Sequence, residues 1–243
     1  MAPRTIREAL EEALVMDAPL GERLAFFARA LRDFDSPYAA AYDHLVHRLV
    51  SGRAGAAAPK VGDPMPPFML PSDSGRLVDL EELIEEGPAV VSFNRGHWCP
   101  LCKLELTALA GIHEKVAVLG TRMVSIVPER LPFATKMKSD FNLPFTVLTD
   151  IDNGYALSLG LMMWVGDQVR GLYLSDGVNL PEFNGAEGWF LPIPATFVVG
   201  RDGHVITRFV DPDFRKRMQV EDILATLGSA AGSGRSREFS CQS

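Results

Sequence analysis

The sequence has only three cysteines in 243 residues, too few to staple a chain of this length, so a disulfide-framed secreted scaffold is excluded. It has no run of eighteen apolar residues and so no membrane span. Positive charge is also short: 24 Lys and Arg stand against 31 Asp and Glu, a formal net charge of −7, without a strong basic block. Nucleic acid and anionic membrane are therefore poor partners. The opening residues, MAPRTIREALEEALVM, put charge in every turn, and no secretory leader is expected. What is present, 47% hydrophobic and 23% charged residues, is ordinary globular composition. The expected compartment is a reducing cytoplasm, where neighbouring cysteines are catalytic or metal-binding more often than structural.

Three regions are expected. Residues 1–58 read as a helical extension and linker. Thr5 and Glu8 form a capping box ahead of Ile6, Ala9, Leu10, Ala13 and Leu14. Leu20, Leu24, Phe27, Leu31 and Phe34 make a second stripe, and Ser36-Pro37 opens a third helix through Tyr38, Tyr42, Leu45 and Leu49. This segment is expected to be a packing appendage or a dimer contact. Residues 59–228 alternate strands (89–93, 123–127, 145–148) with helices (100–118, 133–141, 154–161). A hairpin over 195–199 and 205–210 and a helix from Val220 close the domain. That order predicts an α/β fold, a mixed central sheet flanked by helices. Residues 162–192, without clear periodicity, read as a long insertion over the sheet. Residues 229–243, rich in Ser and Gly and carrying Cys241, read as a disordered tail.

The chemistry concentrates in Phe93-Asn-Arg-Gly-His-Trp-Cys-Pro-Leu-Cys102, where a strand passes through a glycine turn into a helix. Free N–H groups at a helix start favour an anion, and a thiolate is one, so a cysteine there ionises more readily. Cys99 and Cys102 lie one turn apart, within disulfide reach. Arg95 and His97 are candidates to add positive potential. Zinc would need two further ligands, and none follows at finger spacing, so neither metal nor cofactor is expected. Trp98 is expected to shield the cysteines. Ser125 and Glu129, at a strand end, are candidates to touch substrate. His44, His47, His113 and His204 read as solvated or structural.

WCPLC after a buried strand, with Ile193-Pro-Ala-Thr-Phe197 before a hairpin, resembles the thioredoxin-fold superfamily. VGDPMPPF, PAVVSFNRGHWCPLCKLEL and IPATFVVGRDG together resemble its peroxiredoxin-like (AhpC/TSA-type) branch. The resemblance implies a thioredoxin-like fold over 59–228 and a cis-proline at Pro194 facing the cysteines. Laid on the family's Pro-x-x-x-Thr-x-x-Cys, Cys102 takes the peroxidatic position and Glu105 the acidic position three residues later. Arg95 replaces the motif's proline and Cys99 its threonine, while Pro194 stands in place of the family's arginine. Arg170-Gly171-Leu172-Tyr173 mimics the arginine stretch but lies outside the terminal hairpin. The implied function is antioxidant reduction of hydroperoxides through a Cys99/Cys102 dithiol–disulfide cycle, recycled by a thioredoxin-like protein, with a homodimer as a possible assembly. Two alternatives stay open. One is a disulfide reductase with an exposed Cys99 as nucleophile; the other is a non-catalytic redox sensor or binding protein.

Overall fold

The computed structural model describes residues 3–238, with side chains as far as residue 230. Three helices open the chain, α1 (Ile6–Val15), α2 (Leu20–Asp33) and α3 (Pro37–Ser51). Thr5 Oγ1 accepts the Glu8 N–H, and Ser36 Oγ accepts the Tyr38 N–H ahead of Pro37, so both caps form where the sequence places them. A short hairpin of β1 (Met69–Pro71) and β2 (Leu77–Asp79) then leads into α4 (Leu80–Ile84).

The central sheet has five strands in the order β5-β4-β3-β8-β9. β3 (Ala89–Phe93), β4 (Arg122–Val127) and β5 (Thr146–Thr149) run parallel. They are joined by α5 (Pro100–Val118) and α6 (Leu131–Asp140), because parallel neighbours need a crossover, and α7 (Gly154–Ser158) follows β5. β8 (Ala195–Val199) and β9 (Val205–Val210) form the antiparallel hairpin on the other side of β3. Strand alternation splits the core in two. Val91, Phe93, Val124, Ile126 and Phe197 face a cluster shared with α2 and α3, whereas Val90, Met123, Val127 and Val198 face one shared with α5, α6 and the last helix. Leu24, Phe27, Leu45 and Leu49 of the N-terminal helices therefore share one core with Phe93, Cys99 and Cys102.

Two segments depart from expectation. Residues 162–192 are no bare loop. They hold β6 (Met162–Trp164) paired antiparallel with β7 (Phe190–Pro192), and between them α8 (Asp167–Ser175) and α9 (Leu180–Asn184). Their elements are too short for a periodic signal to emerge. Residues 229–238, expected to be disordered, continue α10 (Val220–Glu238), and no proline interrupts that run. Cys241 lies outside the described residues. Among those described, no helix is long and apolar enough to cross a membrane.

Candidate active site

The site forms where β3 ends. The chain leaves the sheet through Asn94, Arg95 and Gly96, turns at His97 and Trp98, and enters α5 at Pro100. Gly96 is required there. Its φ is 145°, and a Cβ would come within 2.6 Å of Glu129 Oε1 and 2.7 Å of Trp98 Nε1. Cys99 is the N-cap of α5: its backbone is extended, and its Sγ accepts the Cys102 N–H at 3.2 Å. The sulfur occupies the position usually held by a Ser or Asp oxygen, facing the positive end of the helix. Pro100 at the first helical position lacks only an N–H that would have no partner in the helix.

Two buried guanidinium groups bracket the sulfurs. Arg95, 0% exposed, points Nη2 at Cys99 Sγ at 3.0 Å and gives its backbone N–H to Cys102 Sγ at 3.4 Å. Its Nη1 donates to the Tyr173 hydroxyl at 3.3 Å, and that oxygen lies 3.4 Å from the Tyr42 hydroxyl. The Arg95 guanidinium also rests 4.5 Å from the Phe214 ring centroid and 5.7 Å from that of Trp98. Arg217 lies in the segment between β9 and α10. It donates from Nε to Glu105 Oε2 at 2.5 Å and from Nη1 to the Phe214 and Lys216 carbonyls, with Nη2 3.9 Å from Cys102 Sγ. The other oxygen of Glu105 accepts from Ser92 and Thr196 at 3.3 and 3.4 Å. Ser125, Ser92 and Thr196 are in register across β4, β3 and β8, a row of hydroxyls beneath the start of α5. Asn94 ties Ser92 to Ser125 through Nδ2.

These contacts separate the two thiols. Burial pushes the Cys99 thiol up, but the hydrogen bond from the Cys102 thiol, the charges of Arg95 and Arg217 and the Cys102 N–H outweigh it, setting its pKa at about 6. Cys102 moves the other way, well above the ordinary value, through burial, donation to Cys99 and repulsion by it. Burial likewise lifts Glu105 to about 7, against the pull of Arg217. The anionic sulfur is thus Cys99, whereas the motif alignment puts attack on Cys102.

The other expected residues fall into place unevenly. Trp98 packs edge-on against Tyr173, ring centroids 4.8 Å apart, and lines a cavity of about 530 Å³ with Cys99, His97 and Lys103. Cys99 is nonetheless only 1% exposed, not the exposed nucleophile of the reductase reading. His97 does not bring its charge to a sulfur. It stacks on Phe133 and gives its N–H and ring Nδ1 to the buried Glu129, at 2.9 and 2.6 Å. Glu129 therefore fixes the turn, and Ser125 sits under Asn94. Pro194 is not a cis-proline, since no peptide bond among the described residues is cis. The chain passes directly from β7 through Ile193, whose N–H is tied to the Leu161 carbonyl, into β8, so the segment stays extended. Sequence reasoning missed Tyr42, Tyr173 and Arg217. Only the basic run Arg215-Lys216-Arg217, unusual in an acidic chain, gave a signal for the last.

The AhpC/TSA family profile matches residues 61–208. A Coxiella burnetii protein named "Putative peroxiredoxin bcp" is 27% identical over 104 residues, covering 43% of this chain and 68% of that protein. Among solved structures, the peroxidoxin BcpB of Mycobacterium tuberculosis is 21% identical at a TM-score of 0.55, covering 70% of this chain and 97% of that one. The bacterioferritin comigratory protein of Xanthomonas campestris is 12% identical at 0.51, covering 68% and 92%. These structures share the fold. With the family profile spanning more than half its length, the chain belongs to the AhpC/TSA family, a thioredoxin-fold, peroxiredoxin-like thiol enzyme.

Proposed function

We propose that this thiol-dependent peroxidase runs a Cys99/Cys102 cycle in which Cys99 attacks. The observation that carries the reading is the Arg95 guanidinium 3.0 Å from Cys99 Sγ at the helix N-cap, with the Cys102 N–H on the same sulfur. The Cys99 thiolate attacks one oxygen of a hydroperoxide. The O–O bond breaks, and the alkoxide or hydroxide leaves with a proton as alcohol or water. Sulfur is oxidised to sulfenic acid. Arg95 supplies the donors for the departing oxygen that the missing threonine and arginine of the motif would otherwise give. Cys102 then attacks the sulfenic sulfur, water leaves, and a disulfide forms. Glu105, lifted to about 7 and one turn beyond Cys102, is the group placed to accept the Cys102 proton. A thioredoxin-like dithiol reopens the disulfide by exchange. Alkyl peroxide reduction is the activity described for the Xanthomonas protein, and an alkyl or hydrogen peroxide is the substrate class proposed here. A reducing cytoplasm, which keeps both thiols free, is the proposed compartment.

Stopped-flow mixing with hydrogen peroxide tests the order of attack. The Cys102→Ser protein is expected to react once and keep a sulfenate on Cys99, trapped by dimedone. Cys99→Ser is expected to lose the fast phase. A sulfenate found on Cys102 in the Cys99→Ser protein, formed at the wild-type rate, refutes the assignment.

A further inference from the structure

Two buried donors close to Cys99 find no acceptor in the folded chain. The Tyr173 hydroxyl accepts from Arg95 Nη1 at 3.3 Å and lies 3.4 Å from the Tyr42 hydroxyl. Each hydroxyl carries one hydrogen and two lone pairs, and an arginine accepts nothing. Two hydrogens are thus present, only one can lie between the two oxygens, and the other has no acceptor among the described residues. With Tyr42 donating to Tyr173, Arg95 and Tyr42 fill both Tyr173 lone pairs, and the spare hydrogen is Tyr173's own. Arg95 Nε is the second such donor, buried and unpartnered on the guanidinium that holds Cys99 Sγ. Both tyrosines are buried, and both feel the Cys99 charge. Buried donors are nearly always paired, and orphaned ones beside a nucleophile suit a site prepared for a developing oxyanion.

Resting on the reading in which Cys99 attacks, we propose that Tyr173 is a catalytic residue whose hydroxyl protonates the leaving oxygen of the hydroperoxide, with Tyr42 as the residue that positions it. The Cys99 sulfur bonds to the terminal peroxide oxygen, and the O–O bond breaks with its electron pair passing to the other oxygen. Sulfur is oxidised and the peroxide reduced. The departing alkoxide or hydroxide takes the Tyr173 proton and leaves as alcohol or water. The negative charge that began on Cys99 ends on the Tyr173 phenolate. Arg95, hydrogen-bonded to both groups, therefore keeps a counter-charge while Cys99 becomes a neutral sulfenic acid. A proton from water then restores the hydroxyl. Burial holds Tyr173 above its ordinary 10.0, so the proton is in place when peroxide arrives. Tyr42 comes from α3 and Tyr173 from α8, so the N-terminal helices and the segment between β6 and β7 complete the chemistry of the cysteine turn.

Two oxidants with different leaving groups test the role. Hydrogen peroxide releases hydroxide, which needs a proton, whereas peracetic acid releases acetate, which is stable as the anion. Stopped-flow rates of sulfenate formation are measured with both and divided by the thiolate fraction read at 240 nm. In Tyr173→Phe the ratio of the peracetic acid rate to the hydrogen peroxide rate is expected to rise at least about tenfold above wild type, a positioned proton donor contributing roughly 100-fold or more. Loss of mere packing slows both oxidants alike, so an unchanged ratio, or a smaller rise, overturns the proposal. If Tyr173→Phe does not fold, Tyr42→Phe carries the test. Its ratio is expected to rise at least about threefold, the effect of one lost hydrogen bond, and a lesser rise overturns the proposal. A wild type that reacts with hydrogen peroxide no faster than a free thiol sinks the Cys99 reading and this inference with it. A fast wild type with an unmoved ratio in the variant sinks the inference alone.

Discussion

Arg95 and Cys99 act as a unit because each is the other's opposite charge in a space closed to water. Arginine stays protonated under all ordinary conditions, so the burden of adjustment falls on the sulfur. Thiolate absorbance at 240 nm is expected to rise with a midpoint near pH 6, the value set for Cys99. The second-order rate with peroxide follows the same curve, falling about tenfold per unit below the midpoint and flat above it. Arg95→Met is expected to move that midpoint upward by at least one unit and to slow the reaction about 100- to 1,000-fold, the usual effect of losing a donor to a developing oxyanion. An unshifted midpoint in the variant means that the helix start alone ionises Cys99. The turn that delivers Arg95 makes its own demand on sequence. At Gly96, φ is 145° and a Cβ would sit 2.6 Å from the buried Glu129 carboxylate. Gly96→Ala is therefore expected to lower stability by about 1–3 kcal/mol, read as a drop in the urea midpoint at unchanged slope.

At the scale of elements, the site is assembled from parts far apart in the chain. The start of α5 brings the sulfurs, α3 and α8 bring Tyr42 and Tyr173 to Arg95, and the segment before α10 brings Arg217. The N-terminal helices are thus part of the site's wall rather than an appendage. Phe27→Ala, at 2% exposure in the core shared with Phe93 and Cys99, is expected to cost about 3–5 kcal/mol. Urea unfolding followed by far-UV circular dichroism and by tryptophan fluorescence is expected to give one coincident transition. Two separated transitions would make α1–α3 an independent unit. The sheet, the capped helices and the cysteine-bearing turn were legible because each has a local signature: alternation, a side-chain cap, or glycine at a strand-to-helix junction. Arg217 and the tyrosines were not, since nothing local distinguishes an arginine that turns inward from one in solvent. Tyr173 lies on a nine-residue helix inside a segment that reads as loop. The cis-proline expectation failed for a related reason, because a sequence resemblance carries no information on how β7 and β8 join here.

For the whole molecule, the site's ionisations couple chemistry to stability, and the two acids involved act with opposite sign. Glu105 has a folded pKa of about 7 against an ordinary 4.5, so between those values the folded protein holds a proton that the unfolded chain has released. Its contribution to stability is present at low pH and is lost as pH rises towards 7. Cys99 has a folded pKa of about 6 against an ordinary 9.0, so in that window the unfolded chain holds the extra proton. Its contribution is present at high pH and is lost as pH falls through 6. In the folded protein Cys102 lies well above its ordinary 9.0, so its contribution is lost only as the unfolded thiol ionises towards pH 9. From pH 7 the Glu105 slope fades as that carboxyl finishes ionising, and Cys99 sets the larger slope until the unfolded thiols ionise. It is bounded by about 1.4 kcal/mol per pH unit and shrinks as the unfolded thiol begins to ionise. Surface groups titrate alike in wild type and in Cys99→Ser, so the difference between the two reports Cys99 together with the shift it causes on Cys102. That difference in unfolding free energy, measured by urea titration under reducing conditions, is expected to widen in favour of the wild type from pH 7 to pH 9. A constant difference would mean that the folded protein keeps Cys99 neutral, and a buried cation without its anion would then have to be explained by some other partner for Arg95.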